Sequence, residues 1–255
     1  MREQGISALF ASQNSEKTIV ACITSFLEFA DEIIIVDNGS TDNTIILCQE
    51  LAQKYKKVKF YNHPEIVHLY ENRQIALEHS KFKWIFRADT DYVACDNIME
   101  LRERILKTST KNSPIIFQLK QINLIHDIHH TKYEIPVGGL MPRFYSFAKK
   151  MQFQRLGRWE GMRYFKDVVK LRINRPVMIE VKKPYWFHCQ FKEPMDYKID
   201  LEDNIDNGWE IHIKCDFNQC YERGTYFACY IEMFRDCFYY KYREKKEEGT
   251  NCTQE

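Results

Sequence analysis

Glycine and proline are scarce in this chain of 255 residues, with nine and seven respectively. A many-stranded β-sandwich or barrel with tight turns would usually need more glycine, so the composition favours a mixed α/β fold. No run approaches the 18 apolar residues of a transmembrane helix, and the first residues lack the apolar stretch of a signal peptide. We therefore expect a cytoplasmic protein.

A surplus of charge of either sign is also missing, because 37 Lys and Arg residues are matched by 36 Asp and Glu residues. The formal net charge is +1 with histidine neutral, which is not typical of a protein that binds a polyanion. We therefore expect no nucleic acid partner. The hydrophobic fraction of 44% and the charged fraction of 29% are typical of a folded globular protein.

Several well-known motifs are absent as well. The nine cysteines contain no CxxC pair, which excludes zinc ribbons and thioredoxin-like redox motifs, so we expect mostly small buried side chains. The first strand-to-helix turn, residues 11–14, has no glycine, and no GxGxxG, P-loop or GxSxG pattern occurs anywhere. Dinucleotide-binding, P-loop and α/β-hydrolase folds are therefore not supported.

The first hundred residues alternate short apolar runs with amphipathic stretches, a pattern that predicts a parallel sheet covered by helices. The predicted strands are residues 6–10, 33–36, 58–61 and 84–86. The predicted helices are one capped by Asn14 or Ser15, then residues 43–54, 72–78 and 97–107. Later strands are expected at residues 115–119, 122–125 and 144–147, without regular helices between them.

Three polar clusters follow predicted strands of this sheet: residues 12–14, 37–39 and 89–91. Ligands of an open parallel sheet bind at the carboxyl ends of its strands, so these clusters should line one crevice. Two carboxylates separated by one residue, Asp89 and Asp91, can face one divalent cation that also binds substrate phosphate oxygens. A lone DxD pattern is most often a solvated turn, but its position after a buried strand favours a cation site.

Three segments together resemble the family 2 glycosyltransferases of the GT-A fold: ISALFASQN at 6–14, IIIVDNGSTD at 33–42, and Arg73 followed by WIFRADTD at 84–91. The resemblance implies a Rossmann-like, mostly parallel α/β sheet flanked by helices, with a mixed α+β acceptor-side half. It also implies transfer of a sugar, with inversion and a divalent Mn²⁺ or Mg²⁺ ion, from a nucleotide diphosphate-sugar donor, a UDP-sugar being favoured. The implied acceptor is a glycan or a lipid-linked molecule in surface polysaccharide synthesis.

The resemblance carries over residue by residue to a donor site made of Ala11, Asn14, Asp37, Arg73, Asp89, Thr90 and Asp91. It implies that Asp37 contacts the base of the nucleotide. Asp89 would lie near the ribose and Asp91 on the metal and the diphosphate, with both aspartates as metal ligands. Two positions depart from the family pattern, since Gln74 stands where Asn is frequent and Arg87 lies in a commonly apolar stretch.

Inverting transfer needs a general base, which in this family is a carboxylate of the second half. Glu160 is the first candidate for this base and Asp167 is the reserve. The alternative for either residue is that it is a surface carboxylate in a polar loop. His188 is a candidate third metal ligand, although a histidine among aromatic residues is more often packed and hydrogen-bonded. The histidines of residues 126–130 are better explained as part of a loop than as a metal site.

The resemblance divides the domain into a donor-binding half, residues 1–110, and an acceptor-side half, residues 111–220. We expect residues 221–255 to form an aromatic and basic C-terminal helix and tail. We expect this helix to pack on the domain or form a dimer contact, with peripheral membrane contact as the alternative.

Two other functions remain open. A degenerate domain could bind nucleotide or glycan without turnover. A sugar nucleotidyltransferase is less favoured, because residues 11–15 lack the glycine-rich loop with Arg and Lys that such enzymes usually have.

Overall fold

The computed structural model describes residues 2–111, 113–125, 140–156, 159–164 and 176–190. Within these ranges the elements follow in the order β1 (Glu3–Ser12), α1 (Ile19–Ser25), β2 (Glu32–Asp37), α2 (Thr44–Lys54), β3 (Val58–Asn62), α3 (Leu69–His79), β4 (Phe82–Asp89), β5 (Tyr92–Ala94), α4 (Ile98–Lys107), β6 (Ile115–Leu119), β7 (Ile122–Ile125), β8 (Met141–Ser146), β9 (Met151–Leu156), β10 (Trp159–Tyr164), β11 (Val177–Val181) and β12 (Trp186–Gln190).

A seven-stranded central sheet organises the described part of the chain, in the spatial order β11-β6-β8-β4-β1-β2-β3. β8 runs antiparallel to its neighbours β4 and β6, and every other neighbouring pair is parallel. β2 is buried along its whole length, which is typical of a parallel strand covered on both faces. The predicted mainly parallel α/β architecture is confirmed.

Alternate residues of the central strands face two separate apolar cores, because successive side chains of a strand point to opposite faces. On one face Phe10 and Phe86 pack with buried residues of α1, α2 and α4. On the other face Leu9 and Ile85 pack with α3 and with β9. The sheet is therefore the middle of three layers, and α3 lies on the face opposite α1, α2 and α4.

The predicted capping of α1 by Asn14 or Ser15 is wrong. The helix begins at Ile19 with Thr18 as its N-cap, and the backbone carbonyl of Ser15 instead accepts the N–H groups of Thr18 and Ile19 in a preceding turn. Asn14 has a positive φ of 48°, a left-handed conformation that asparagine tolerates better than most residues and that interrupts a helix. The other three predicted helices are present, with bounds shifted by up to three residues.

The second half extends the central sheet through β6, β8 and β11 and adds two smaller sheets. β12 lies between β5 and β7 in a three-stranded sheet, and β9 pairs with β10 in a hairpin beside α3. The strand predicted at 144–147 is β8, three residues earlier at its start. The expected C-terminal helix and the histidines of 126–130 lie outside the described residues.

Four of the cysteines, Cys22, Cys48, Cys95 and Cys189, are buried, as expected. Burial, aided by the negative charges of Asp37 and Asp42, raises the pKa of Cys48 to about 12. Among the described helices, none is both long and apolar enough to span a bilayer.

Candidate active site

The carboxyl ends of β1, β2 and β4 meet at one edge of the central sheet. In the strand register Ala11 lies opposite both Val36 of β2 and Asp89 of β4, and Ser12 lies opposite Asp37. The structure therefore brings the first turn, the Asp37 turn and the Asp89-Thr90-Asp91 segment to one place, where the sequence pattern predicted a crevice.

Asn14 joins the first two of these turns. Its backbone N–H donates to Oγ of Ser40 at 2.8 Å, and its Oδ1 accepts the N–H of Thr41 at 2.9 Å. The left-handed backbone at Asn14 turns the chain so that both contacts form at once. Asn14 thus holds the two turns together at the rim of the crevice.

Asp37 is fully buried, and its carboxylate is occupied within its own turn. Oδ1 accepts the N–H groups of Gly39 at 2.9 Å and Ser40 at 2.7 Å, while Oδ2 accepts the Ser40 hydroxyl at 2.6 Å. A direct contact of this carboxylate with a base would require the turn to open. The following residue, Asn38, is partly exposed at the same edge and can offer a side-chain amide without such a change.

Asp89 lies between two almost fully buried arginines. Nη2 of Arg73 donates to Oδ1, and Nη1 of Arg143 donates to Oδ2 at 3.1 Å, with Arg73 1% and Arg143 3% exposed. Burial raises the pKa of Asp89, but the positive charges of Arg73, Arg143 and Arg87 outweigh it and hold the pKa well below its ordinary value. Asp89 is therefore an ionised acceptor fixed in direction.

Arg73 belongs to α3, which covers the face of the sheet opposite α1, α2 and α4. Its Nη1 also donates to the carbonyl of Ala88 at 2.8 Å. Thr90 is tied to the first turn, since its hydroxyl lies 2.7 Å from the Ser15 hydroxyl. Both residues predicted from the sequence are thus part of the same cluster as Asp89.

His188 lies beside Asp91, with Nε2 3.1 Å from Oδ2. The contact is produced by the three-stranded sheet, in which β12 places His188 opposite Tyr92 of β5 and Asn123 of β7. The backbone carbonyl of Asp91 also accepts the N–H of Cys189 at 2.7 Å. Oδ1 of Asp91 is buried and has no hydrogen-bond partner among the residues that the structure describes.

A divalent cation fits this cluster at Asp91 better than at Asp89. Both oxygens of Asp89 accept from guanidinium groups, whose positive charge repels a cation, whereas no donor from the described part of the chain reaches Oδ1 of Asp91. No set of three or more His, Cys, Asp or Glu side chains in the described ranges is arranged as a metal site. Asp91 would therefore hold the ion together with phosphate oxygens of a bound substrate and water.

Glu160 belongs to β10, where its backbone lies opposite Arg155 of β9. The hairpin packs against α3, the helix that carries Arg73. The side chain of Glu160 and the whole of Asp167 lie outside what the structure describes, so the assignment of the general base stays a prediction.

Two residues of the site were not anticipated from the sequence, Arg143 and Gln121. Arg143 directly precedes Phe144 and Tyr145 in β8, and a charged residue beside these large apolar residues was a usable signal. Gln121 carried no local signal, because the side chains within hydrogen-bond distance of it come from three different strands: Asn123, Arg143, Trp186 and His188.

Comparison with known proteins identifies the family. The model of the family described as "Glycosyl transferase family 2" matches residues 7–187. The lipopolysaccharide core biosynthesis glycosyltransferase LpsC of Rhizobium meliloti is 34% identical over 104 residues, which cover 41% of this chain and 38% of LpsC. An uncharacterized glycosyltransferase of Rickettsia bellii is 26% identical over 115 residues, covering 45% of this chain and 37% of that protein.

The match spans only 37–38% of the length of these two relatives. Among solved structures, S. aureus TarS 1-349 is 14% identical with a TM-score of 0.48, covering 72% of this chain and 60% of that one. The family model covers well over half of the chain. With its mainly parallel α/β sheet of the expected GT-A type, the chain belongs to glycosyltransferase family 2.

Proposed function

We propose that this chain is a metal-dependent, inverting glycosyltransferase that moves a sugar from a nucleotide diphosphate-sugar, a UDP-sugar foremost, to a glycan or lipid-linked acceptor. The observation that carries the proposal is the strand-edge cluster of a family 2 domain. There Asp89 is held ionised by two buried arginines, beside Asp91, one oxygen of which is buried and has no partner within the described ranges.

The two aspartates have different roles in this proposal. Asp89 accepts a hydrogen bond from a hydroxyl of the donor sugar nucleotide, because Arg73 and Arg143 keep it ionised and fix its direction. Asp91 and the phosphate oxygens of the donor would hold Mn²⁺ or Mg²⁺, which supplies positive charge to the departing diphosphate. Asn14 and Asp37 maintain the turns that border the pocket, and Asn38 is the side chain we assign to the base.

Inversion in a single displacement needs a carboxylate that removes the proton of the acceptor hydroxyl as the hydroxyl attacks. We assign this step to Glu160, with Asp167 as the reserve. The packing of the β9–β10 hairpin against α3 supports the assignment, because that helix also carries Arg73 of the donor site.

The acceptor is proposed to be part of a surface polysaccharide or glycan, which the similarity to a lipopolysaccharide core enzyme supports. Residues 1–110 would bind the donor and residues 111–220 the acceptor. We place the chain in the cytoplasm. Residues 221–255, outside the described ranges, would pack on the domain or mediate dimerisation, with peripheral membrane contact as the alternative.

The donor site is tested by thermal unfolding with UDP, GDP, dTDP and their sugars, with and without Mn²⁺. A nucleotide at 100 times its Kd adds about 2.7 kcal/mol to the free energy of unfolding, which raises Tm by about 5–10 °C for a chain of this size. We expect a Mn²⁺-dependent rise with one nucleotide diphosphate and its loss in Asp91→Ala.

The matched control is Glu50→Ala, which removes one exposed carboxylate from α2 and should leave the rise intact. Turnover assays with the selected donor then separate the alternatives. Binding without turnover across acceptors would favour the degenerate domain, and formation of a nucleotide-sugar from a sugar phosphate would indicate a nucleotidyltransferase. No rise with any nucleotide would contradict the proposed donor site.

A further inference from the structure

The side chain of Gln74 links α3 to the β9–β10 hairpin. Gln74 directly follows Arg73 in α3, and its Oε1 accepts the backbone N–H of Phe153 in β9 at 3.0 Å. Among the described residues the hairpin forms a two-stranded sheet of its own, separate from the central sheet. Apolar packing is non-directional, whereas a hydrogen bond has a definite direction and length, so this contact fixes where the hairpin lies along the helix.

The partners of Gln74 determine the orientation of its amide. The backbone N–H of Phe153 can only donate, so the atom beside it is the carbonyl oxygen Oε1. Nε2 donates to Oε1 of Glu78, one helical turn later, at 2.8 Å. A flipped amide would place its NH₂ group against the N–H of Phe153 and its oxygen against the carboxylate. Both contacts therefore require the same orientation.

The N–H of Phe153 needs this acceptor. Phe153 is buried in the same core as Ala76 and Leu77 of α3. In an antiparallel pair, alternate residues of a strand direct their N–H groups away from the partner strand, and the bond to Gln74 shows that Phe153 is one of these. A buried N–H without an acceptor is strongly unfavourable, so α3 supplies what β10 does not.

The length of the side chain at position 74 matters for this contact. The position departs from the family pattern, in which Asn is frequent. Asparagine is shorter by one carbon–carbon bond of about 1.5 Å, so an Asn oxygen directed the same way would lie beyond hydrogen-bond distance of the Phe153 N–H. Glutamine at this position is therefore suited to hold the hairpin of this chain.

We propose that Gln74 is a positioning residue that anchors the β9–β10 hairpin to the helix of the donor site. Phe153 lies two residues along β9, about 7 Å, from Arg155, which is opposite Glu160 in the strand register. The preceding residue of α3, Arg73, reaches the donor site. Adjacent residues of one helix thus set the distance between the donor site and the strand that carries the proposed base. The catalytic consequence rests on the proposed function, whereas the anchor itself follows from the contacts.

The anchor is tested by amide hydrogen exchange of Phe153, followed by NMR on the full chain without metal or nucleotide. Gln74→Met keeps the length of the side chain and removes the acceptor. We expect the Phe153 amide to exchange about fivefold faster, the factor that corresponds to the loss of one average hydrogen bond. Gln74→Asn should give the same increase, whereas Gln74→Glu keeps an acceptor at the same reach and should stay near wild type. The control is Gln53→Met, at an exposed position of α2, which should change nothing at Phe153.

The positioning role is tested by transfer kinetics with the donor identified by thermal unfolding. Displacement of a reacting group by about 1 Å lowers a rate about 100-fold, so we expect kcat to fall about 10- to 100-fold in Gln74→Met. The Kd of the nucleotide diphosphate should stay within about twofold, because Arg73 still holds Asp89. Gln74→Glu should recover most of kcat. A general loss of stability would not lower kcat while leaving nucleotide affinity intact.

Unchanged exchange of Phe153 or an unchanged kcat in Gln74→Met would overturn the inference, as would an equal loss of kcat in Gln74→Glu. If Gln74→Met does not fold, Gln74→Asn gives the same two readouts. If the wild type transfers no sugar, the proposed function fails, and the exchange rates of Phe153 still decide whether Gln74 anchors the hairpin.

Discussion

Replacing Asp89 by asparagine should destabilise the fold strongly, because it leaves Arg73 and Arg143 buried without their carboxylate. The substitution keeps the size of the side chain, removes its negative charge and replaces one accepting oxygen by an NH₂ group. The two guanidinium groups are 1% and 3% exposed and both contact Asp89, so water cannot replace the lost partner without a rearrangement of the site.

Removal of one partner of a buried ion pair costs about 3–5 kcal/mol, chiefly because the remaining charge stays desolvated. The Asp89 side chain itself is 28% exposed, which reduces the cost, so we expect a loss of about 3 kcal/mol in the free energy of unfolding. Domains of this kind have about 5–15 kcal/mol in total, so the variant should still fold.

The assay is urea unfolding followed by circular dichroism, with Glu100→Gln as the control. That substitution breaks an exposed ion pair, in which the side chain of Glu100 is 59% exposed and that of Lys183 is 46% exposed. It should lower the free energy of unfolding by less than about 1 kcal/mol. A loss in Asp89→Asn as small as that of the control would refute the argument that the buried arginines depend on Asp89.

The difference in unfolding free energy between wild type and Asp89→Asn should depend on pH with a defined sign. The pKa of Asp89 is lower in the folded chain than in the unfolded chain, so the unfolded chain binds more protons as the pH falls. The stability advantage of wild type over Asp89→Asn should be complete above about pH 5 and decrease as the pH falls below about 4. An advantage that stays constant throughout acid titration would contradict the lowered pKa.

Two further substitutions test the scaffold of the site. Gly39→Ala should cost about 1–3 kcal/mol in urea unfolding, because φ is +89° and the new Cβ would lie 3.2 Å from Cα of Pro64; an unchanged midpoint would contradict the strain. Phe86→Ala should cost about 3–5 kcal/mol in the same assay, since its fully buried ring stacks on Phe144 at 4.3 Å and touches Trp186; a loss under 1 kcal/mol would mean that the core collapses around the gap.

The first half of the fold was predictable because its signals are local. β2 and β4 are apolar runs of strand length, and α4 buries Ile98, Leu101 and Ile105 at helical spacing. The strands β11 and β12 were not predicted, because they are short and pair with strands far away in the chain. The hairpin strands β9 and β10 were not predicted either, although they pair with each other. The start of α1 was missed because Asn14 adopts a left-handed turn that its sequence context does not reveal.

The position of the site was predictable for a related reason. Parallel strands end at a common edge, so the polar residues that follow β1, β2 and β4 must come together whatever the exact packing. Which way each carboxylate points was not predictable. Asp37 turns into its own loop, where it accepts from Gly39 and Ser40. Asp89 turns toward Arg73 and Arg143, so its direction depends on neighbours supplied by other elements.

The sequence by itself determined the alternation of strands and helices in the first hundred residues and the family to which they belong, because periodicity and short motifs are properties of consecutive residues. Only the tertiary structure decided that Asp89 is held by Arg143 and that Asp91 contacts His188, because these contacts depend on β8 and β12 joining sheets begun by much earlier strands. Hydrogen bonds between distant residues need a definite three-dimensional register, and no local pattern specifies that register.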